Sequence, residues 1–541
     1  MYKSIFFPVL AMAFSIWGIR ICRAQNVSGG IPQLVKHGHV TQLYVDQKPF
    51  LILGGELNNS SSSSITYMQP IWQQVKALNF NTVVTPLSWE LIEPKEGLFN
   101  FNLVDSLIMG ARQNNVHLVF LWLASWKNGM SSYIPFWVKE NYKKYPRVKI
   151  QNDQTVEVLS TLSEANSDAD AKAFAALMKH IREVDGTKHT VLMMQLENET
   201  GILGDSRDRS AAANAAFNAQ VPKELINYLV KNKDILVAEV KKQWGQNGFK
   251  TIGNWEDVFG KGANCDEIFM AWNYAGYVNK VAEAGKKEYP IPMYANAWLN
   301  DGNAKPGDYP SGGPLAHVMD IWKARQTAID LFAPDLYAAD YEERCQQFTQ
   351  QDNPLFIPEM NSGDDGARNI FIAIGKYNAI GVSPFGIDHI KDAEKSGFSK
   401  SYAVLNQLSS VILEKQVKKD IIGFVVDEKT PVLTYEMGGY RLEISLDELF
   451  GHKSTLGYGL LMTDGDHRFM GAGSGFRVRF YPIKKDGKAI IGISNIDEGT
   501  FKNGAWIAGR RLNGDEDDQG RAWRFAPWQT GIEKCTVYKY E

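Results

Sequence analysis

Between residues 40 and 390 the chain repeats one unit: a short apolar run ending in polar residues, then a longer segment of helical period. The apolar runs are Phe50–Leu57, Thr82–Leu87, His117–Ser125, Thr190–Glu199, Ile291–Trp298, Leu331–Tyr337, Leu355–Asn361 and Ile380–Asp388. Most of them lack strict alternation, as expected of parallel strands buried on both faces. Between them, Tyr67–Leu78, Leu103–Asn114, Ala169–Val184, Tyr277–Glu288 and Ala316–Ala328 read as helices. Eight β runs alternating with helices predict a (β/α)8 barrel of the TIM type. A doubly wound open sheet is the competing arrangement, but no glycine-rich phosphate loop follows the first run.

Asp46-Gln47-Lys48-Pro49 supplies turn residues for a β-hairpin that leads into the first barrel strand. The interval Glu199–Ile291 is far longer than a usual βα loop, and its stretch Pro222–Trp244 reads as helical. Such an insertion is expected to build one wall of the substrate site. After a helix at Tyr402–Val417 the period changes to two. Tyr440–Ser445 and Arg477–Tyr481 alternate, and Asp486-Gly487 reads as a hairpin turn. The expected division is a signal peptide at 1–24, the barrel with its hairpin at 25–410, and an all-β, sandwich-like domain at 420–541.

The first 24 residues pair Lys3 with an apolar stretch from Ile5 to Gly18, then Cys22-Arg23-Ala24, an A-x-A-like cleavage pattern. That stretch is short of the roughly 20 apolar residues a membrane span needs, so export to the periplasm or outside is expected. Arg20 and Ile21 are poor neighbours for a lipidated Cys22. Sequons stand at Asn26, Asn58, Asn59 and Asn198, the last in an apolar strand context. Cys265, Cys345 and Cys535 cannot all pair, and buried free thiols are the expectation.

Bulk composition narrows the function by exclusion. Lys plus Arg is 58 and Asp plus Glu is 61, a formal charge of −3, so no strong basic field is available for nucleic acid. The hydrophobic share of 44% supports a sizeable core and excludes disorder. Fourteen Trp, 22 Tyr and 27 Phe suit sugar stacking, although large cores use them too. No H-E-x-x-H is present, and His37-x-His39 has no evident third ligand, so no metal is called for. Gly471–Gly475 precedes a strand and reads as a turn; no G-x-S-x-G elbow occurs. No cofactor is implied, and the aromatics alone leave a carbohydrate partner as no more than a hint.

In a barrel the chemistry sits at the C-terminal ends of the strands. The fourth run ends in Glu197-Asn198-Glu199 and the seventh in Glu359-Met360-Asn361. Two carboxyls facing each other there form a glycosidase pair, one protonating the leaving oxygen and the other attacking the anomeric carbon. The blander reading is that such glutamates only cap helices. Glu93-Pro94 reads as a turn, and Glu197, two residues from Glu199, is placed on the same strand face, where it would raise the pKa of Glu199.

These motifs carry a family resemblance. Gln195-Leu196-Glu197-Asn198-Glu199-Thr200-Gly201 resembles the Q-V-E-N-E-Y-G signature of family 35 β-galactosidases. Trp89-Glu90-Leu91-Ile92-Glu93-Pro94-Lys95-Glu96-Gly97 resembles that family's W-x-x-x-E-P-x-x-G, and Leu121–Trp126 with Pro135–Trp137 its strand-three region. The resemblance covers roughly residues 35 to 390. It implies a retaining β-galactosidase with Glu199 as acid/base, Glu359 as nucleophile and Asn198 at the sugar 2-hydroxyl. Ser125 departs from a Glu that most animal and plant members place there, and Thr200 from a Tyr. Glu56, in Gly54-Gly55-Glu56-Leu57, is the expected compensation. Trp89, Trp126 and Tyr337 are further substrate-binding candidates, with Trp137, Trp272 and Trp298 also near the mouth. The G-G-E-L form, Ser125-Trp126-Lys127-Asn128-Gly129-Met130 and Gly504–Asp515 resemble the bacterial branch linked to xyloglucan side-chain removal. The alternatives are another retaining β-glycosidase of the clan, such as a β-glucosidase, or an inactive carbohydrate-binding relative.

Overall fold

The structure is a computed structural model that describes residues 30–449, 451–483 and 489–541. The export segment, Asn26 and the Asp486-Gly487 turn lie outside the described residues. Each of the eight apolar runs forms a parallel strand, and the eight close into one barrel. In order they are strand one, Ile52–Glu56; two, Thr82–Ser88; three, His117–Lys127; four, Val191–Asn198; five, Met293–Trp298; six, Leu331–Leu336; seven, Phe356–Met360; and eight, Gly381–Pro384. Strand eight pairs with strand one, completing the closure.

Side chains fill the barrel interior. Val84, Val119, Leu121, Met193, Tyr294 and Ala333 cluster there with Leu331, Phe356 and Ile380, which stand at or just before the N-terminal ends of their strands. Leu43 and Val45 join the same cluster from a three-stranded lead-in sheet, Gln33–His37, Val40–Val45 and Lys48–Phe50. Its tight turn places Asp46 and Gln47 at positive φ, 49° and 64°. The N-terminal end of the barrel is thereby plugged with apolar atoms, and the C-terminal end is left for polar ones.

Some expectations change. The helix read at Tyr277–Glu288 runs Ala263–Glu288. Its first half buries Cys265, Ile268, Phe269, Met270 and Trp272 on several sides, which hides the amphipathic period. The stretch Pro222–Trp244 is broken into helices Lys223–Lys231 and Ala238–Gln246. Between them the Val237 amide donates to Asp320 Oδ2 at 2.7 Å, a bond that fixes the chain outside helical geometry. Gly471–Ser474 belong to the strand Arg468–Ser474; only Gly475 turns, at φ 76°. Cys265, Cys345 and Cys535 are buried free thiols.

The C-terminal part is two stacked antiparallel sheets. The larger contains Ile421–Asp427, Leu456–Gly465, Arg468–Ser474, Gly531–Tyr540, Ile490–Lys502 and Ala505–Leu512; the smaller, Val432–Met437, Tyr440–Leu446, Phe476–Pro482 and Trp523–Phe525. Phe424, Leu442, Ile444, Phe476, Trp523 and Phe525 form the layer between them. The larger sheet sits directly on the barrel helix Asp364–Gly375. A Cβ on Gly423 would lie 1.8 Å from the Phe371 carbonyl oxygen, and one on Gly375 would lie 2.5 Å from the Gly423 amide nitrogen. Leu460, Met462, Met470, Ala472 and Ile532 of the sheet belong to the same apolar cluster as the barrel's helices.

Backbone, unlike a side-chain tip, has no rotamer through which to yield. Gly423→Ala is therefore expected to destabilise the chain by about 3 kcal/mol, the upper end of overpacking costs, read by chemical denaturation. An unchanged unfolding midpoint would show that the sheet rides loosely on the helix.

Candidate active site

At the end of strand four the backbone leaves strand geometry. Glu197 and Glu199 take φ of 59° and 49°, left-handed values that cost a non-glycine residue on the order of 1–3 kcal/mol. Surrounding contacts impose the conformation. The Glu199 amide donates to Asn296 Oδ1 at 3.0 Å, and the Gly129 amide donates to the Glu199 carbonyl at 3.1 Å. Gly201 follows at φ 146°, where a Cβ would stand 2.3 Å from the Pro310 carbonyl carbon.

This break overturns the expectation that Glu197 and Glu199 share a face. Glu197 turns into the core, accepts the Trp126 amide at 2.8 Å and meets the carboxyl of Asp170. Burial first, then Asp170, pushes Glu197 well above the usual carboxyl range. Ser125 is part of the same network, donating to Asp170 Oδ2 at 2.5 Å. The position where the resembled family places a sugar-binding Glu therefore faces the protein interior. The residues raising Glu199 are others.

Glu199 is joined by Glu359 and Asp335, one oxygen of each lying within 4.8 Å of the others. Asp335 pairs in register with Glu359 on one side and Trp298 on the other, which aligns the tips of strands five, six and seven. Asn296 Nδ2 donates to Asp335 Oδ2 at 2.6 Å. The Tyr337 hydroxyl donates to Glu359 Oε1 at 2.7 Å. Asn128 donates to Glu199 Oε2. Glu56 ends strand one, also buried, and Lys127 ends strand three.

Burial governs the protonation of this cluster. It is the largest influence raising Glu199, followed by the charge of Glu359, and brings Glu199 to about 7. Burial and neighbouring carboxyls hold Asp335 and Glu56 well above their ordinary range. Glu359 is raised by burial, while Lys127 and the Tyr337 hydroxyl act in the opposite direction. With an ammonium nearby and an O–H donor directly on it, Glu359 is the carboxyl best equipped to carry the negative charge.

Several buried polar atoms here have no protein partner: both amide atoms of Asn198, Glu56 Oε1, Thr200 Oγ1, Asp335 Oδ1 and Glu359 Oε2. Native interiors rarely leave such atoms unpaired, and together they offer donors and acceptors to a hydroxyl-rich ligand. The trio Glu199, Asp335 and Glu359 is also close enough to hold one cation. Burial raises all three carboxyls, which works against the ionised form that a cation needs.

The aromatic expectations divide. Trp89 and Trp126 are fully buried and present no face to a ligand. Trp89 donates to Glu93 Oε2 at 2.9 Å, and Trp126 donates to the Leu159 carbonyl at 3.3 Å while packing edge-on against Tyr274 and Tyr277. The insertion helix packs on Trp126 through those tyrosines, and Trp137, which follows strand three, packs edge-on against Trp89. Trp272 is buried beneath the Arg325 guanidinium. Tyr337, 51% exposed, and Trp298, 38% exposed, stand at the strand tips with open surface. Glu93 accepts the Gly97 amide at 2.7 Å and so holds the turn that its sequence suggests. Asp335, Asn296 and Lys127 escaped the sequence reading as site residues, although Asp335 and Lys127 lie at strand tips by the same rule that selects Glu359.

A family model described as beta-galactosidase, of the glycoside hydrolase 42 type, matches residues 62–262, a span that includes Asn198 and Glu199 but ends before Glu359. A second, described as a domain of unknown function, matches residues 398–524. A beta-galactosidase of Xanthomonas manihotis is 27% identical over 186 residues, 33% of this chain and 28% of the relative's length. The chain thus spans less than a third of that relative. Among solved structures, the beta-galactosidase from Bacillus circulans sp. alkalophilus is similar at 13% identity and a TM-score of 0.46, covering 67% of this chain and 57% of that one. The one from Rahnella sp. R3 is similar at 13% and 0.45, covering 69% and 60%. The likeness is to beta-galactosidases, and the matching model is of the 42 type, not the family 35 that the motifs resemble.

The folded chain disfavours ionised Glu199, so this residue's contribution to stability is complete below pH 4.5 and is lost as pH rises through about 7. Glu199→Gln is accordingly expected to stabilise the protein at pH 8 by up to about 3 kcal/mol and to change little at pH 4. Equal unfolding midpoints for the two proteins at pH 8 would contradict the burial account.

Proposed function

We propose that the protein is an exported, retaining, exo-acting β-galactosidase that removes terminal β-galactose from plant-derived oligosaccharides, with xyloglucan side chains as the natural source. The observation that carries this reading is the closeness of Glu199 and Glu359, whose oxygens approach within 4.8 Å. Retaining glycosidases place their carboxyls about 5–5.5 Å apart, whereas inverting ones need about 6.5–9.5 Å to admit a water between them. The depth of both residues, 5% and 8% exposed, suits one terminal sugar better than a chain running through.

In the first step Glu359 attacks the anomeric carbon while Glu199 gives its proton to the leaving oxygen, so the glycosidic bond breaks as the glycosyl-enzyme bond forms. In the second, Glu199, now ionised, takes a proton from water; the water oxygen bonds to the anomeric carbon and releases Glu359. Tyr337 and Lys127 stabilise the carboxylate form of Glu359 before attack and after release. Asn198, with both amide atoms unengaged, and Glu56 are the groups for the sugar hydroxyls. The likeness to beta-galactosidases supports the sugar, the family 35 motifs support the finer family, and the G-G-E-L form supports the xyloglucan branch. The apolar N-terminal segment supports export; among the described residues no helix is long and apolar enough to cross a membrane.

Glu359→Gln is expected to lower turnover of an aryl β-galactoside by on the order of 10³-fold or more. Near wild-type rates would remove the nucleophile assignment. Glu199→Ala is expected to lower kcat/KM about 10²–10⁴-fold on oligosaccharides and less than about tenfold on aryl galactosides with good leaving groups, because kcat/KM reports the first step and only the former need the proton there. Equal losses on both would sink the acid role. For the wild type, kcat/KM on oligosaccharides should fall as pH rises through about 7, where Glu199 ionises. A panel of aryl glycosides separates galactose from glucose.

A further inference from the structure

A groove of about 650 Å³ runs between the helix Gly397–Lys418 and the strands Ile490–Lys502, Ala505–Leu512 and Gly531–Tyr540. Its volume falls within the range of about 300–1,000 Å³ typical of ligand clefts, and none of its lining residues belongs to the barrel mouth. Trp528 lines it while remaining 73% exposed. A large indole left open beside polar neighbours such as Gln529, Thr500 and Thr530 is a flat platform with hydrogen-bonding groups around it.

The charges on its walls are answered within the protein. Arg510 clamps Glu498 with bonds of 2.7 and 2.9 Å and reaches Glu516 at 3.0 Å. Arg524 is held by both oxygens of Asp447, at 2.8 and 2.9 Å. Glu533 is buried at the floor and accepts the Trp523 indole N–H at 2.7 Å. Burial pushes it up to about 8, so it carries a proton at neutral pH. With these side chains neutralised, and only Lys400 added at the rim, the groove has little to offer an ion. An aromatic platform among neutral hydrogen-bonding groups fits the C–H face of a pyranose ring and its hydroxyls.

We propose that this groove is a second carbohydrate site, which holds a neutral stretch of polysaccharide on the C-terminal domain apart from the reacting bond. It rests on the galactosidase reading only for the choice of probe. The test is affinity electrophoresis of the full chain carrying Glu359→Gln, in gels containing galactosylated xyloglucan, unsubstituted soluble β-1,4-glucan or polygalacturonate. The parent is expected to be retarded by a neutral polymer. Adding Trp528→Ala should weaken retardation at least fivefold, and Trp528→Phe should restore part of it. In the otherwise unmutated chain, Trp528→Ala should leave turnover of an aryl galactoside unchanged. Retardation that does not depend on Trp528, retardation only by polygalacturonate, or none by any polymer would overturn the proposal. If aryl galactosides are not hydrolysed yet retardation depends on Trp528, the groove stands and the catalytic reading falls.

Discussion

Four carboxyl groups and one ammonium share the C-terminal end of a closed barrel, and the cost of burying that charge organises the site. Glu56, Glu199, Asp335 and Glu359 cannot all ionise together in a space this sheltered, with Lys127 as the cation acting on three of them. Burial therefore shifts all four toward the protonated form. The difference between the two central glutamates follows from their neighbours. Glu199 is raised by the charge of Glu359 beyond what burial does, whereas Glu359 has the Tyr337 hydroxyl on it at 2.7 Å, acting to lower it. Burial disfavours the charge on both, and under the proposed mechanism it keeps Glu199 as the acid while Lys127 and Tyr337 offset it at Glu359, the nucleophile.

The barrel sustains this arrangement because its two ends are unlike. Apolar side chains from the lead-in sheet close the N-terminal end, and the polar tips of the strands gather at the other. The register of strands five, six and seven aligns Trp298, Asp335 and Glu359, so cross-strand pairing, and not loop conformation, fixes their spacing. Strand four contributes differently, through two left-handed residues that turn Glu197 inward and Glu199 toward the mouth. The strain is held by Asn296, Gly129 and the close approach of Gly201 to Pro310. A position so tightly determined is what proton transfer over a short distance requires.

Much of this is legible in the residues. The alternation of apolar runs and helices carries the barrel, because strands buried on both faces must be continuously apolar. Glu199 and Glu359, the proposed pair, can be picked out because a barrel gathers its polar groups at the C-terminal ends of its strands, and the structure brings them together there. Trp89 and Trp126 mislead for the same reason: nearness to a strand end does not reveal that Trp137 after strand three, or a helix from the long insertion, packs over them. Glu197 misleads because alternation holds only while φ stays negative, and nothing local in Glu197-Asn198-Glu199 announces a left-handed turn that distant Asn296 and Pro310 impose. The first half of the helix Ala263–Glu288 is hidden because burial on several sides erases the amphipathic period.

The central claim is that Glu359 forms a bond to the sugar that Glu199 then helps water to break. Proton NMR of the first product released from an aryl β-galactoside follows the anomeric configuration before mutarotation blurs it. The account predicts that β-galactose appears first and the α anomer grows in later. If α-galactose is the first product, a water stands between the two carboxyls, and the double displacement is wrong.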